Sequence, residues 1–307
     1  MTCAPRLLVA VFARGLHILS SRLVPDGQEV PVRAFVRSAL LALGLATVAL
    51  SAPRNASADN GSVGVLVLKE HGIGSSAQAQ PYVDKFVALA AKQNGWTAAK
   101  AQFHTTRSGA DGFVQAEKPH YGILSLAAFL GLKEKYKLDV LGQVAVARAG
   151  GQQYFLVSKT AGDLAGCKGK RLATDHADDV KFVEQVVGAG KLKLSEFTLV
   201  ATTRPLQGIK KVAGGEAECA LVDDAQLAEL AHLEGADAIR SIWSSDKLPP
   251  MVVVAFPSAP AAERKAFQGS FGKLCEGDGK TACTEVGIQS FKTAADSDYA
   301  AVISAYK

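Results

Sequence analysis

The polar residues able to do chemistry sit in short loops, each directly after an apolar run. Lys69-Glu70-His71-Gly72 follows Val63-Gly-Val-Leu-Val-Leu68, and Ser125 follows Tyr121-Gly-Ile-Leu124. Asp175, His176, Asp178 and Asp179 follow Arg171-Leu-Ala-Thr174, Thr202-Thr203-Arg204 follows Phe197–Ala201, and Asp223-Asp224 follows Cys219-Ala-Leu-Val222. Runs of this length and composition are strands covered on both faces. Loops at the carboxyl ends of such strands converge on one edge, where they can donate and accept hydrogen bonds to a small solute. Free N–H groups of the helices that follow can hold an anion. Ser125, Thr202 and Asp223 have a second role open to them, capping those helices for about 1 kcal/mol each. His71, Asp175, His176, Asp178 and Asp179 could also be assembled into a metal or acid/base site. Acidic residues ahead of a helix ordinarily serve the helix start instead, so no metal is expected. The chain has no nucleophile elbow, no P-loop, no HExxH and no GxGxxG after a strand, which argues against an enzyme or a bound cofactor. Tyr82 and Tyr154 could stack on a solute or pack in a core; Trp96 and Trp243 read as packing residues.

The elements that must position these loops alternate strand with helix. Strands are expected at 63–68, near 99–103, at 121–124, about 139–147, 152–158, 171–174, 197–201, 219–222, 238–243 and 251–256. Helices are expected from Pro81 to the Asn94-Gly95 stop, at 108–117, 126–136, 178–188, from Pro205, at 225–233, about 260–274 and 298–306. This alternation predicts an α/β fold of mostly parallel sheets flanked by helices.

Of the 307 residues, 48% are hydrophobic and 21% charged, ordinary globular values. The net charge of +5 lies mainly in residues 1–58, where six arginines face Asp26 and Glu29; about +1 remains for the rest. No basic footprint for nucleic acid survives there. Arg33 and Arg37 precede the uncharged stretch Ala39–Leu50, followed by Ala56-Ser57-Ala58 and Asp59. This is signal-peptide patterning, and an apolar core of about 12 residues is too short to span a bilayer comfortably. We therefore expect a leader over 1–58 (core 33–58), cleavage, and a periplasmic mature protein. No cysteine ends the apolar stretch, so no lipid anchor is expected, and residues 1–30 read as a start codon set too far upstream.

Export changes the reading of the cysteines. The mature chain keeps Cys167, Cys219, Cys275 and Cys283, an even count that favours disulfides in an oxidising compartment. Cys275 and Cys283 flank Gly-Asp-Gly-Lys, and their bridge would contribute roughly 2–3 kcal/mol on the chain-entropy argument. Cys167 with Cys219 is then the second pair by elimination; four free buried thiols are the alternative.

Four segments resemble the substrate-binding components of phosphonate-type ABC importers, which have the type II periplasmic binding fold. Pro119–Ser125 is similar to the family's strand ending in a solute-side residue. Asp163–Asp175 resembles its Asp-Leu-x-Gly-Lys-x-Val-Ala segment, with Cys167-Lys168 inserted. Ala213–Asp224 resembles Gly-x-x-Asp-Ala-Ala-Val, and Ser244–Val254 the Ser-x-x-x-Pro return strand. The resemblance implies two lobes, 59–155 plus 256–307 and 156–250, with crossings near Tyr154–Ser158 and Met251–Phe256. Cys167 and Cys219 would share the second lobe. A small-molecule solute would be held between the lobes of a monomer and passed to an ABC permease. The residues expected to hold it are His71, Ser125 and Tyr154 from the first lobe and hinge, with Asp175, Asp178, Thr203 and Asp223 from the second. One departure bears on the ligand. The family's hydroxyl-rich run after the second-lobe Asp is here His176-Ala-Asp-Asp179. Its carboxylates would repel a phosphonate by several kcal/mol in a desolvated cleft. A cationic, zwitterionic or metal-linked solute is expected instead; the alternative is a non-transport periplasmic module whose ligand site has degenerated.

Overall fold

The computed structural model describes residues 62–71, 75–147 and 150–307. The expected leader, 1–58, lies outside the described residues.

In chain order the first elements are β1 (Ser62–Leu68), α1 (Ser76–Asn94), β2 (Ala98–His104), α2 (Arg107–Glu117), β3 (Tyr121–Leu124), α3 (Leu126–Tyr136) and β4 (Asp139–Val146). Next come β5 (Tyr154–Ser158), α4 (Leu164–Cys167), β6 (Arg171–Thr174), β7 (Thr198–Ala201), α5 (Gln207–Ala213), β8 (Cys219–Asp223), α6 (Asp224–Ala228) and β9 (Arg240–Ser244). The chain closes with β10 (Met251–Ala255), α7 (Ala261–Leu274), α8 (Gly279–Glu285), β11 (Ile288–Thr293) and α9 (Ala300–Tyr306).

The strands form two sheets. Sheet A has the order β11-β4-β10-β3-β1-β2, and sheet B the order β7-β6-β8-β5-β9. Pairing is parallel where strand–helix–strand units run, at β1 with β2 and β3 and at β6 with β7 and β8. It is antiparallel at β10, β11, β5 and β9. The sheets are therefore mixed, because the strands that follow each passage between sheets return against the direction of their neighbours. The chain passes from A to B between β4 and β5, and back between β9 and β10. The two passages are bonded to each other: Ser245 N–H donates to the Tyr154 carbonyl (2.8 Å), and Leu248 N–H to that of Gln152 (2.7 Å).

Three apolar cores follow from strands covered on both faces. One lies between sheet A and α1, α7 and α8, built on Val65, Phe86, Val253 and Phe271. A second packs α5 against sheet B through Ile209, Val212 and Ala220. The largest runs from Leu66, Phe113 and Phe129 to Leu156, Phe182 and Val302, so α9 and sheet B share one core with α2 and α3. Two disulfides form, Cys275–Cys283 as its spacing implied and Cys167–Cys219 as elimination left it, with Cα atoms 5.5 and 6.2 Å apart.

Several local expectations need correction. The first helix begins at Ser76, not Pro81, because Ser75 and Gln78 form a capping box that starts it earlier. The helix expected over 178–188 is a π-type segment, Phe182–Val187, in which Gly188 N–H bonds the Val183 carbonyl at 2.8 Å. Elements α4, α8 and β11 add to those expected; β11 buries only Ile288 and Phe291, leaving too little apolar periodicity to read.

Candidate functional site

The loops after β1 and β2 meet the loops after β6 and β7 around one cavity of about 980 Å³. Sheet A contributes Glu70, His71, Ser76 and Thr106, and sheet B contributes Asp175, Asp178, Thr203 and Arg204. Ser75 and Thr106 also cap α1 and α2, accepting from Gln78 and Gly109 N–H, both at 3.3 Å. His71 takes φ 55°, a left-handed conformation that costs energy for a side chain other than glycine.

One cation organises the floor of this site. Arg107, the first residue of α2, pairs through Nε with Glu70 Oε1 at 2.6 Å and donates from Nη2 to Glu70 Oε2 at 2.9 Å. The same Nη2 reaches Asp179 Oδ2 at 2.5 Å and the Ala127 carbonyl at 3.0 Å. Asp179 further accepts the Phe182 N–H (3.1 Å) and the Tyr306 hydroxyl (3.2 Å). Burial pushes the Glu70 carboxyl up, against the pull of Arg107. Burial also works against the charged Arg107 guanidinium, but Glu70 and Asp179 outweigh it and raise its pKa.

Behind the cavity lies a buried ring cluster. His176 packs against His71 at 4.2 Å between ring centroids, and against Tyr154 at 5.5 Å and Phe182 at 5.2 Å. Its Nδ1 has no hydrogen-bond partner and its Nε2 stands 3.4 Å from the Tyr154 hydroxyl. Burial, assisted by His71, holds the His176 pKa well below the usual value, so the ring is neutral. Burial likewise raises Tyr154 and Asp175. Gln226 Nε2 donates to Asp175 Oδ2 at 2.8 Å. Asp223 caps α6 by accepting the Gln226 N–H at 2.7 Å, and burial lifts it to about 7.

Of the residues expected to hold a solute, His71, Asp175, Asp178 and Thr203 line the cavity. Tyr154 is buried behind His176, and Ser125 accepts the Glu70 N–H at 3.3 Å without capping α3. Asp223 lines a different cavity on the far side of His71. Among the described residues no group of three or more His, Cys, Asp or Glu side chains is placed to hold a metal ion. Arg107, Gln226 and Tyr306 escape a sequence reading because their partners lie 37 to 127 residues away. The one available signal is the hydroxyl-rich Thr105-Thr106-Arg107-Ser108 after β2, another polar loop at a strand's carboxyl end.

Comparison with known proteins places this geometry. No curated protein matches the sequence. The fold is shared with a binding protein component of an ABC phosphonate transporter from Pseudomonas aeruginosa (TM-score 0.61, 15% identity, 80% of this chain and 85% of that one). It is also shared with PhnD1 from Prochlorococcus marinus in complex with methylphosphonate (0.60, 10%, 80% and 97%). A third likeness is the periplasmic aliphatic sulphonate binding protein SsuA from Escherichia coli (0.56, 10%, 80% and 85%). The family model for the phosphonate periplasmic substrate-binding protein of ABC transporters matches residues 124–299, more than half of the chain. This chain therefore belongs to the phosphonate-type periplasmic substrate-binding proteins of ABC transporters.

Proposed function

We propose that the protein captures a small zwitterionic solute outside the cytoplasmic membrane and delivers it to an ABC permease. The solute sits between lobe 1 (59–155 plus 256–307) and lobe 2 (156–250), in the cavity of about 980 Å³. The observation that carries this reading is the state of two charges on the cavity wall. Asp178 and Arg204 both line it, and neither side chain has a hydrogen bond or ion pair with a described residue. The other charges there are already engaged, Glu70 with Arg107 and Asp175 with Gln226. Both side chains are exposed and hydrated, and a solute bearing one cation and one anion would give each a partner in place of the water it loses on binding. The anionic end is the part such a solute would share with methylphosphonate; Arg204 and the Thr203 hydroxyl would receive it. Asp178 would receive the cation and discriminate against a simple phosphonate.

Thermal-shift and calorimetric titration with amino acids, aminoalkylphosphonates, methylphosphonate and polyamines tests this. A saturable rise in Tm with a zwitterion, weakened about tenfold or more by Asp178→Asn, supports the reading. Tighter binding of methylphosphonate than of its amino analogue would overturn it. A second reading, a non-transport module, draws on the Arg107–Asp179 pair, which joins the two halves without any solute. A folded protein silent across the panel would select that reading.

A further inference from the structure

The second cavity, about 800 Å³, lies on the other side of His71 and is built differently. Its wall is one face of sheet A and the helix over it: Val67, Phe86, Phe103, Val144, Met251 and Ile288. Most of these residues belong to the apolar core under α1, so the cavity opens that core towards solvent. Tyr82, 44% exposed, stands at its rim. Polar groups enter mainly from the sheet B side, where Asp223 and Asp224 at the end of β8 close over the apolar wall. Glu229 and His232 complete that side, Lys69 and His71 enter from the end of β1 in sheet A, and Glu285, already paired with Lys85 at 3.2 Å, lies opposite.

Lys69 lines the same cavity and acts on Asp223 through space, but it does not close an ion pair with either aspartate. Asp223 accepts the Gln226 N–H and Asp224 the Gly151 N–H (2.9 Å), and neither forms an ion pair with a described residue. A ligand-sized apolar cavity with a few convergent polar groups is the usual form of a small-molecule site. An apolar ligand without charge would leave these carboxylates unpaired and desolvated, which is costly. An anion would be repelled by them.

We infer that this cavity is a separate binding site for an amphipathic amine, with an aromatic or aliphatic body against Phe86, Phe103 and Val144 and its ammonium group between Asp223 and Asp224. The site shares only His71 with the solute cavity, so it does not depend on the zwitterion reading. The body supplies burial and the ammonium group supplies orientation, because charge-assisted bonds to partly buried carboxylates are directional and strong.

Calorimetry with phenethylamine and phenylpropionate, which have similar bodies and opposite charge, tests the inference on the whole protein. Phenethylamine is expected to bind saturably and phenylpropionate about tenfold more weakly or worse. Asp224→Asn should weaken the amine by a similar factor. Ala79→Phe, on the solvent-reaching side of α1 at the cavity mouth, should abolish amine binding and leave titration of the Asp178–Arg204 cavity unchanged. Equal binding of the two probes, no binding of phenethylamine to folded protein, or amine binding that survives Ala79→Phe would each overturn the assignment. None of those results bears on the zwitterion reading, which rests on Asp178→Asn.

Discussion

Arg107 and Asp179 are paired across the two sheets, with Nη2 to Oδ2 at 2.5 Å and both acidic partners of the arginine, Glu70 and Asp179, only 6% exposed at the side chain. Arg107 follows β2 of sheet A, and Asp179 follows β6 of sheet B. One guanidinium thus serves two carboxylates and ties together the two walls of the cleft.

Removing that guanidinium leaves two buried carboxylates facing each other. Arg107→Met should therefore destabilise the protein by about 3 kcal/mol, the scale for breaking a buried pair from one side. In urea unfolding the midpoint should fall with the slope unchanged. Adding Glu70→Gln to Arg107→Met should recover part of the loss, giving a coupling energy in a double-mutant cycle. No recovery would mean that the arginine acts through packing alone.

Asp223 gives a pH signature. Its carboxyl titrates near 7 when folded against 3.8 ordinarily, chiefly through burial. Between those values the folded protein binds a proton that the unfolded chain has lost, so this group's effect on stability worsens as pH rises from 3.8 towards 7. Asp223→Asn keeps the α6 cap, since asparagine caps as well as aspartate, and removes the titration. The variant's Tm should gain on the wild type by several degrees across that window, at about 1.4 kcal/mol for each pH unit crossed. Parallel curves would refute the buried-acid assignment.

His176 has the opposite signature. It stays neutral when folded, while in the unfolded chain it titrates at its usual 6.5. Stability contributed by the neutral ring is present above 6.5 and is lost as pH falls below it. His176→Phe keeps a ring against Tyr154 and Phe182 and removes the orphaned Nδ1. Its stability advantage over the wild type should grow below pH 6.5, by about 1.4 kcal/mol per pH unit, and its Tm should rise accordingly.

The two disulfides should differ in weight. Cys167–Cys219 spans 52 positions and Cys275–Cys283 spans 8. On chain entropy, loss of the first should cost roughly 4 kcal/mol and of the second roughly 2.5 kcal/mol. Paired Cys→Ser variants in chemical denaturation check the order; equal losses would show that packing around the sulfurs outweighs loop closure.

The α/β alternation, the polar loops after β1, β6, β7 and β8 and the closely spaced Cys275–Cys283 pair are legible from local pattern, whereas Cys167–Cys219 followed only by elimination. Val63–Leu68, a short valine-rich apolar run, announces its strand locally. The capping box at Ser75 is equally local, but Pro81 offers a competing helix start five positions into the same helix. The edge strand β11, mostly polar, carries too little pattern.

The residues alone determined strand order along the chain, the polarity of each loop and the even cysteine count, because these depend on neighbours a few positions apart. Only the tertiary structure decided that Tyr154 lies behind His176, that Asp223 faces a second cavity, and that Asp179 is answered by Arg107. Each of those outcomes depends on burial and on partners brought in by strand pairing from distant parts of the chain, such as the 72 positions separating Arg107 from Asp179. The charge a loop presents to solvent follows from which of its groups are already paired, and pairing across two sheets has no local signature.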